Sequence, residues 1–458
     1  MEAALSERGL TLVLDVGKTR TKLLAIDEDG QLVQSWACES RSVQAAAGYL
    51  ALDTAGVQTW LCETLAGMGP LRSAVRSIVP ITHGAALAGI GATGLALPVA
   101  DYEFEGFNDR TADWAERVDP FGETLSPLLP QGLNAATQLD WMQRHQPERM
   151  KQVTRWMPYA QYWAWWLSGV ASTEVSALGC HTLLWLPREG RWSALARREG
   201  WAARFAPVRN AWDTVGVVRP ELASSLGLPQ GVRVHCGAHD SNACLARYLR
   251  SWPRMTLVSS GTWVVVMASS ASLAALDGER DFLGNVSVRG DVVPTGRFMG
   301  GRSVERLCAG ASPDLADSQV LRRLVSQGVS VDKEGRHVGL PDGRLLPAER
   351  GAEAFNPRER ATLASLHAAQ ATHDCLNALG AVGPVTVDGP LANNDVYLDV
   401  LAALQGDVHA SEDVIEGTAR GGYVLSRWTE PRPSQPCVRS ITVPADAGML
   451  KGIALAAA

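Results

Sequence analysis

The chain has 458 residues, enough for two or three domains, and its 46% hydrophobic and 20% charged content is that of a folded globular protein. A net charge of −6 argues against a general nucleic-acid binder, whose binding face would be basic. Eight cysteines without a close Cys-x-x-Cys pair read as reduced, mostly buried thiols, and no His/Cys spacing points to a structural zinc site.

Residues Met1 to Leu10 lack an apolar core, so no signal peptide is read there. The expected compartment is the cytosol, with no membrane partner. The first strand is Thr11 to Val16, followed by the turn Gly17-Lys18-Thr19 and a second apolar run from Thr21 to Ile26. Asp27-Glu28-Asp29-Gly30 turns the chain into a third run, Leu32 to Trp36. Such an antiparallel meander followed by helices predicts an α/β layer fold with a mixed sheet. Ala45 to Leu65 is alanine-rich and predicts a helix, and Ser77 to Ile81 a strand ending at Thr82-His83-Gly84. Asn134 to His145 and Pro158 to Leu167 read as helices, the second stopped by Gly169 and too short to span a bilayer. Val232 to Cys236 is a strand, and Asn242 to Leu249 the helix after Gly237-Ala238-His239-Asp240.

The domain boundary is placed after residue 249, dividing the chain into 1–249 and 250–458. A second hairpin then follows, Thr256 to Ser260, Gly261-Thr262, and Trp263 to Met267. Gly300-Gly301 reads as a loop. Asn356-Pro357-Arg358-Glu359 is a helix start, with that helix running to about Leu379. Val385 to Val387 is a strand, Asp388-Gly389-Pro390 its turn, and Asn394 to Leu404 a helix closed by Gly406.

Either glycine hairpin alone is an ordinary turn. The pair, one in each half of the chain, is more informative. A glycine turn leaves backbone N–H groups pointing outward, where they can cradle phosphate oxygens, so two such turns suggest two related domains on one nucleotide. Asp15 closes the first strand and serines close the second. Asp240, between a strand and a helix, reads from position alone as a helix N-cap or as a carboxylate at a cleft edge.

Four segments together resemble the FGGY carbohydrate kinases: Asp15 to Lys22, Gly237 to Ala243, Ser259 to Trp263, and Val387 to Pro390 through Gly421-Gly422. Their order and spacing match over almost the whole chain. The resemblance implies two ribonuclease-H-like, actin-type ATPase domains with a cleft between them. It implies an ATP- and Mg²⁺-dependent kinase for a ketose (rhamnulose-, fuculose- or xylulose-like) or a related polyol. Asp240 would be the general base and would contact the substrate, and Asp15 would be the metal carboxylate. Gly17, Lys18, Thr19, Ser260, Gly261, Thr262, Gly389, Pro390 and Asn393 would hold ATP. His83 and Gln161 would contact the sugar, with Asp101-Tyr102-Glu103 as weaker candidates. His239 stands beside Asp240, to orient it or to pack. The partner is a small-molecule sugar, and a homodimer is left open. Three features depart from the family. Lys18 follows the first glycine where Thr or Ala is usual. Gly389 is followed by Pro390-Leu391 instead of further glycines. Asn108-Asp109-Arg110-Thr111 is one residue short of the family's sugar loop. Two rival readings are an actin- or chaperone-like ATPase and a catalytically dead nucleotide- or sugar-binding regulator.

Overall fold

The computed structural model describes residues 9–456 except 262, 281, 341–342 and 432–434. The chain divides into two compact units. The first comprises Met1–Arg250 with Asp277–Val292 and Ile415–Ser434; the second comprises Ser251–Leu276, Val293–Val414 and Gln435–Ala458.

The first unit is built on strands β1 (Leu10–Val16), β2 (Arg20–Ile26), β3 (Leu32–Glu39), β4 (Val75–Thr82), β5 (Thr214–Val217), β6 (Arg233–His235) and β7 (Ala238–His239). Their order is β5-β6-β4-β1-β2-β3, with β7 also on β4. β1 pairs antiparallel with β2, Asp15 opposite Lys22, and parallel with β4, Val16 opposite Thr82. The sheet is thus mixed, as the meander predicts. Every residue of β1 is buried, and its period-two alternation feeds two cores. Leu12 and Leu14 join Ile78, Trp163 and Leu167 on one face. Val13 joins Val79, Ile81, Ala243 and Ala246 on the other.

Helices α1 (Thr54–Gly67), α2 (Ala135–His145), α3 (Tyr159–Ser168) and α4 (Asp240–Leu249) belong to this unit. The aromatic run of α3 is core, and Gly169 closes it with φ +79°. The expected helix over Ala45 to Leu65 is half wrong. Ser42–Gln44 and Leu50–Leu52 pair as a small hairpin, and the helix begins only at Thr54, where the Asp53 carboxylate accepts from Gly56 N–H. That cap outweighs the alanine propensity upstream. Helix Gly417–Ser426 returns from late in the sequence to pack on α4. A Cβ at Gly421 would run into the Ala243 carbonyl, so close helix approach accounts for this glycine. Gly421 and Gly422, read above with the adenosine region, therefore pack inside the first unit.

The second unit repeats the scheme with β8 (Thr256–Ser260), β9 (Val264–Ala268), β10 (Val292–Phe298), β11 (Val385–Asp388), β12 (Val408–Ser411) and β13 (Val438–Ile441). The order is β10-β9-β8-β11-β12-β13. β8 and β9 form the hairpin, and β8 runs parallel to β11 with Ser259 opposite Asp388. Helices α5 (Gly300–Cys308), α6 (Pro357–Ala378) and α7 (Asp395–Gln405) cover it. α6 starts with a capping box between Asn356 and Glu359, as its sequence predicts. Gly300-Gly301 is not a loop but the first turn of α5. Among the described residues no helix is long and apolar enough to cross a membrane, and the eight cysteines are free thiols.

Candidate active site

In the first unit the parallel strands β1, β4 and β7 end side by side, and their carboxyl ends carry Asp15, His83 and Asp240. The register sets this: Val16 and His239 both lie opposite Thr82, on either side of β4. In open α/β sheets this edge is where ligands bind. His83 N–H donates to the Val16 carbonyl at 3.1 Å, which ties the end of β4 to that of β1. Gly237 turns the chain from β6 into β7 at φ +81°, where a Cβ would collide with the Pro80 carbonyl, so only glycine fits.

Asp240 is the first residue of α4, and His239 is its N-cap without a side-chain cap bond. The Asp240 carboxylate reaches the N2 amide of Ser241 and no N3 amide. Its Oδ1 accepts from Ser241 N–H at 2.6 Å and Ser241 Oγ at 3.2 Å, with His239 Nε2 also 3.2 Å away. Both Ser241 donors reach one oxygen. Oδ2 is left without a donor among the described residues, on a side chain that is 31% exposed.

Asp15 is buried at the end of β1. Burial, then the charge of Asp240, pushes its carboxyl up to about 7, against the opposing pull of Lys22. Lys22 is itself paired with Glu416. Asp15 and Asp240 are thus close enough to interact, and Mg²⁺ takes one or two carboxylates and keeps several waters. No group of three or more metal-ligand side chains occurs among the described residues.

His83 donates from Nδ1 to the Gly84 carbonyl at 2.8 Å, which leaves Nε2 as an acceptor. Burial lowers its affinity for a second proton. The Tyr102 and Tyr159 rings flank it at 5.8 and 5.5 Å. A neutral imidazole between aromatic rings suits a sugar hydroxyl. Gln161 lies elsewhere: it has no exposure, and its amide donates to the Cys236 and Gly237 carbonyls at 3.0 and 3.1 Å. It braces the turn that delivers Asp240, and its Oε1 is buried without a hydrogen-bond partner among the described residues. Lys18 is engaged by neighbouring carboxylates. Its ammonium bonds Asp101 at 2.5 Å, lies 3.1 Å from Glu103 and sits over the Tyr102 ring. Gly17 N–H closes the hairpin on the Arg20 carbonyl, and Thr19 is exposed at the tip.

In the second unit a cavity of about 410 Å³ opens beside the second hairpin. Ser260, Gly261, Pro390 and Asn393 line it; Thr262 lies outside the described residues. Ser260 Oγ donates to the Asp388 carbonyl at 2.6 Å and accepts from Leu391 N–H at 3.0 Å, clipping the hairpin to the Gly389-Pro390 turn. Gly301 and Arg302 of α5 also line the cavity, together with Asn394 and Asp395 at the start of α7. None of these four is a predicted site residue. The signal for the first pair was present: a strand, then Gly-Gly, then a helix is a turn that exposes N–H groups.

The whole-chain comparison decides the family. A solved carbohydrate kinase from Novosphingobium aromaticivorans is 34% identical over 98% of this chain and 97% of its own, with a TM-score of 0.83. The family model for the FGGY carbohydrate kinase N-terminal domain matches residues 121–246, and that for the C-terminal domain matches residues 253–434. The chain belongs to the FGGY family of carbohydrate kinases. L-fuculokinase of Salmonella typhi is 26% identical over 287 residues. A xylulose kinase of Staphylococcus epidermidis is 26% identical over 245 residues. These two matches span 58% and 48% of the relatives' own length. Two mixed α/β units are the fold expected of an FGGY kinase, and the sequence resemblance identified the family correctly.

Proposed function

We propose that this FGGY protein is an ATP-dependent sugar kinase that phosphorylates a hydroxyl of a ketose (rhamnulose-, fuculose- or xylulose-like) or a related polyol. The observation that carries the reading is Asp240, a strand-end carboxylate with one oxygen held by donors and the other open, beside a second carboxylate and a neutral histidine. Asp240 Oδ2 takes the proton of the acceptor hydroxyl. The hydroxyl oxygen forms its bond to the γ-phosphorus as the bond to the β-phosphate oxygen breaks, and ADP leaves. His83 Nε2 accepts from a second sugar hydroxyl. Asp15 would hold Mg²⁺, directly or through water; the ion supplies positive charge to the phosphates when bound.

In the second unit, the cavity beside Ser260 and Gly261 would take the nucleotide. The domain assignment proposed for the chain is sugar on 1–249 and adenosine on 250–458. Family membership favours this reading over a chaperone-like ATPase, and the open base favours it over a dead regulator.

The test is an ADP-release assay across ketoses and polyols, with Mg²⁺ and ATP. One sugar or a small related group should give turnover far above background. Sugar-independent ATP hydrolysis, or none at all across the panel, would overturn the reading.

A further inference from the structure

Among the described residues, six that are not glycine have a left-handed φ: Ala85 (+53°), Leu125 (+51°), Gln131 (+52°), His181 (+44°), Leu183 (+63°) and Ala309 (+45°). This conformation costs an L-residue free energy, and it persists only where the surroundings impose it. Ala309 ends α5 in the second unit. The other five belong to the first unit and fall in three segments: 85, 125–131 and 181–183. Two amides at the start of α2 bond to all three.

Asn134, the N-cap of α2, makes no cap bond with its side chain. Its Oδ1 accepts from Leu129 N–H at 2.7 Å, and its Nδ2 donates to the His181 carbonyl at 2.7 Å. One turn on, Gln138 Nε2 donates to the Ala85 and Gly132 carbonyls, both at 2.6 Å. These partners are backbone groups with one role each, so both amide orientations are fixed. Both side chains are buried, and Gln138 Oε1 has no partner among the described residues. A buried acceptor left unpaired is costly, so what Gln138 contributes lies in its two N–H bonds.

The three segments carry the sugar side of the candidate site. Ala85 is two residues past His83, whose Nδ1 bonds the Gly84 carbonyl between them. Gly132 N–H donates to the Tyr102 carbonyl at 2.9 Å, and the Tyr102 ring stands edge-on to His83. His181 follows Cys180, whose sulfur lies 3.5 Å from the ring of His239, the neighbour of Asp240.

We infer that Gln138 and Asn134 are positioning residues, a clamp that holds these strained loops and so sets where His83 and Tyr102 stand for the acceptor sugar. This rests on the sugar lying beside His83 and Asp240. Gln138 is the sharper half of the clamp. One nitrogen bonds both the loop that follows His83 and the loop that holds Tyr102, so the spacing of two sugar-side groups depends on a single side chain. Without it, Ala85 relaxes to negative φ and takes His83 with it.

Gln138→Met keeps the side chain's length and removes both donors. In its crystal structure Ala85 should leave the left-handed region, and His83 and Tyr102 should shift. Ala85 still at positive φ with His83 in place would overturn the clamp, and that readout needs no sugar. With a sugar identified in the ADP-release panel, Gln138→Met should raise the sugar KM about tenfold and leave the ATP KM within about twofold. An equal rise in both would reject a role directed at the sugar. Adding Ala85→Gly should recover part of the sugar KM, because glycine adopts φ +53° without being held there. No recovery would overturn the strain account. If Gln138→Met fails to fold, Ala85→Gly alone decides: it should raise the melting temperature, and a fall would mean that residue 85 carries no strain to hold. Failure of the kinase reading is distinct: it shows as no turnover in the unaltered protein on any sugar, whatever the φ of Ala85.

Discussion

The two units share a hairpin-plus-parallel-strand plan but place their chemistry differently. In the first, the acid sits on the hairpin strand, Asp15 opposite Ile81 of the parallel neighbour. In the second, a serine takes the equivalent place, Ser259 opposite Asp388 of the parallel neighbour. The first unit gathers two carboxylates and a neutral histidine at its strand ends. The second offers a hydroxyl-clipped turn, backbone amides and asparagines around a cavity. The contrast teaches that a repeated sheet topology fixes where a ligand edge lies, not what it does there. One edge gathers carboxylates and an imidazole, while the other surrounds a cavity lined by a serine, glycines, asparagines and the carboxylates of Glu305, Asp314 and Asp395.

The sharpest way to break that contrast is to neutralise the proton acceptor. Asp240→Asn keeps the shape and removes the base. The expected loss is at least ~10²-fold in turnover, with ATP affinity unchanged by calorimetry. Near-normal turnover would show that the first edge does no proton chemistry.

The second test uses pH. The Asp15 carboxyl titrates near 7 in the folded protein against its ordinary value of 3.8. The folded state therefore binds more protons between these values. The stability from the buried, protonated acid is fully present below about pH 4 and is lost as pH rises through 7, on the order of 4 kcal/mol in all. Glu174, buried and pushed up to about 7, adds a slope of the same sign. Melting temperatures measured in EDTA should fall from pH 5 to 8, and Asp15→Asn should flatten that fall. Mg²⁺ should restore stability at pH 8 in the unaltered protein and much less in the variant. Identical slopes in both proteins would remove Asp15 from the cation-binding edge.

On the other edge, Gly261→Val sharpens the comparison. A Cβ at this position meets only the Trp263 carbonyl, at 3.7 Å, so there is room for the fold to persist. The added methyls project beside a backbone that lines the cavity. ATP affinity should fall about tenfold or more, since glycine permits close approach of backbone to ligand, while sugar binding stays the same. Unchanged ATP affinity in a folded variant would mean that the second hairpin does not hold phosphate.

Much of the fold was legible because local signals agreed with it. The Asn356 capping box, Gly169 and Gly406 set helix ends by short-range hydrogen bonding, and the strand runs around Asp15 and Ser259 were apolar enough to be unmistakable. Asp15, His83 and Asp240 could be named because each terminates a strand at a recognisable turn. What was illegible depends on distant partners. Nothing local says that Ile415–Ser434 returns to the first unit, or that Gly421 is small because Ala243 lies against it. Gln161 looked like a polar ligand on an apolar helix; only the fold reveals the two carbonyls it braces. The hydrogen bond from Asn242 to Asn285 joins residues 43 apart in sequence and left no local trace.

Lys18 gives the smallest expected effect, and it tests whether charge at the first turn serves phosphate at all. Its family-style reading places an ammonium beside ATP. In the structure that ammonium is held by Asp101, which is only 1% exposed, and by Glu103. Burial would raise the Asp101 carboxyl, yet hydrogen bonds from Lys18, Ser42 and Glu103 N–H bring it below its ordinary value. Removing the lysine therefore strands a buried carboxylate, at about 1–3 kcal/mol of stability. Lys18→Ala should leave ATP affinity within about threefold, since an ammonium already paired with carboxylates adds little to a phosphate site. It should raise the sugar KM instead, because Asp101 and Tyr102 carry the segment that packs against His83. A large loss of ATP affinity with the sugar KM intact would return Lys18 to the phosphate loop and make the two hairpins more alike than their acids suggest.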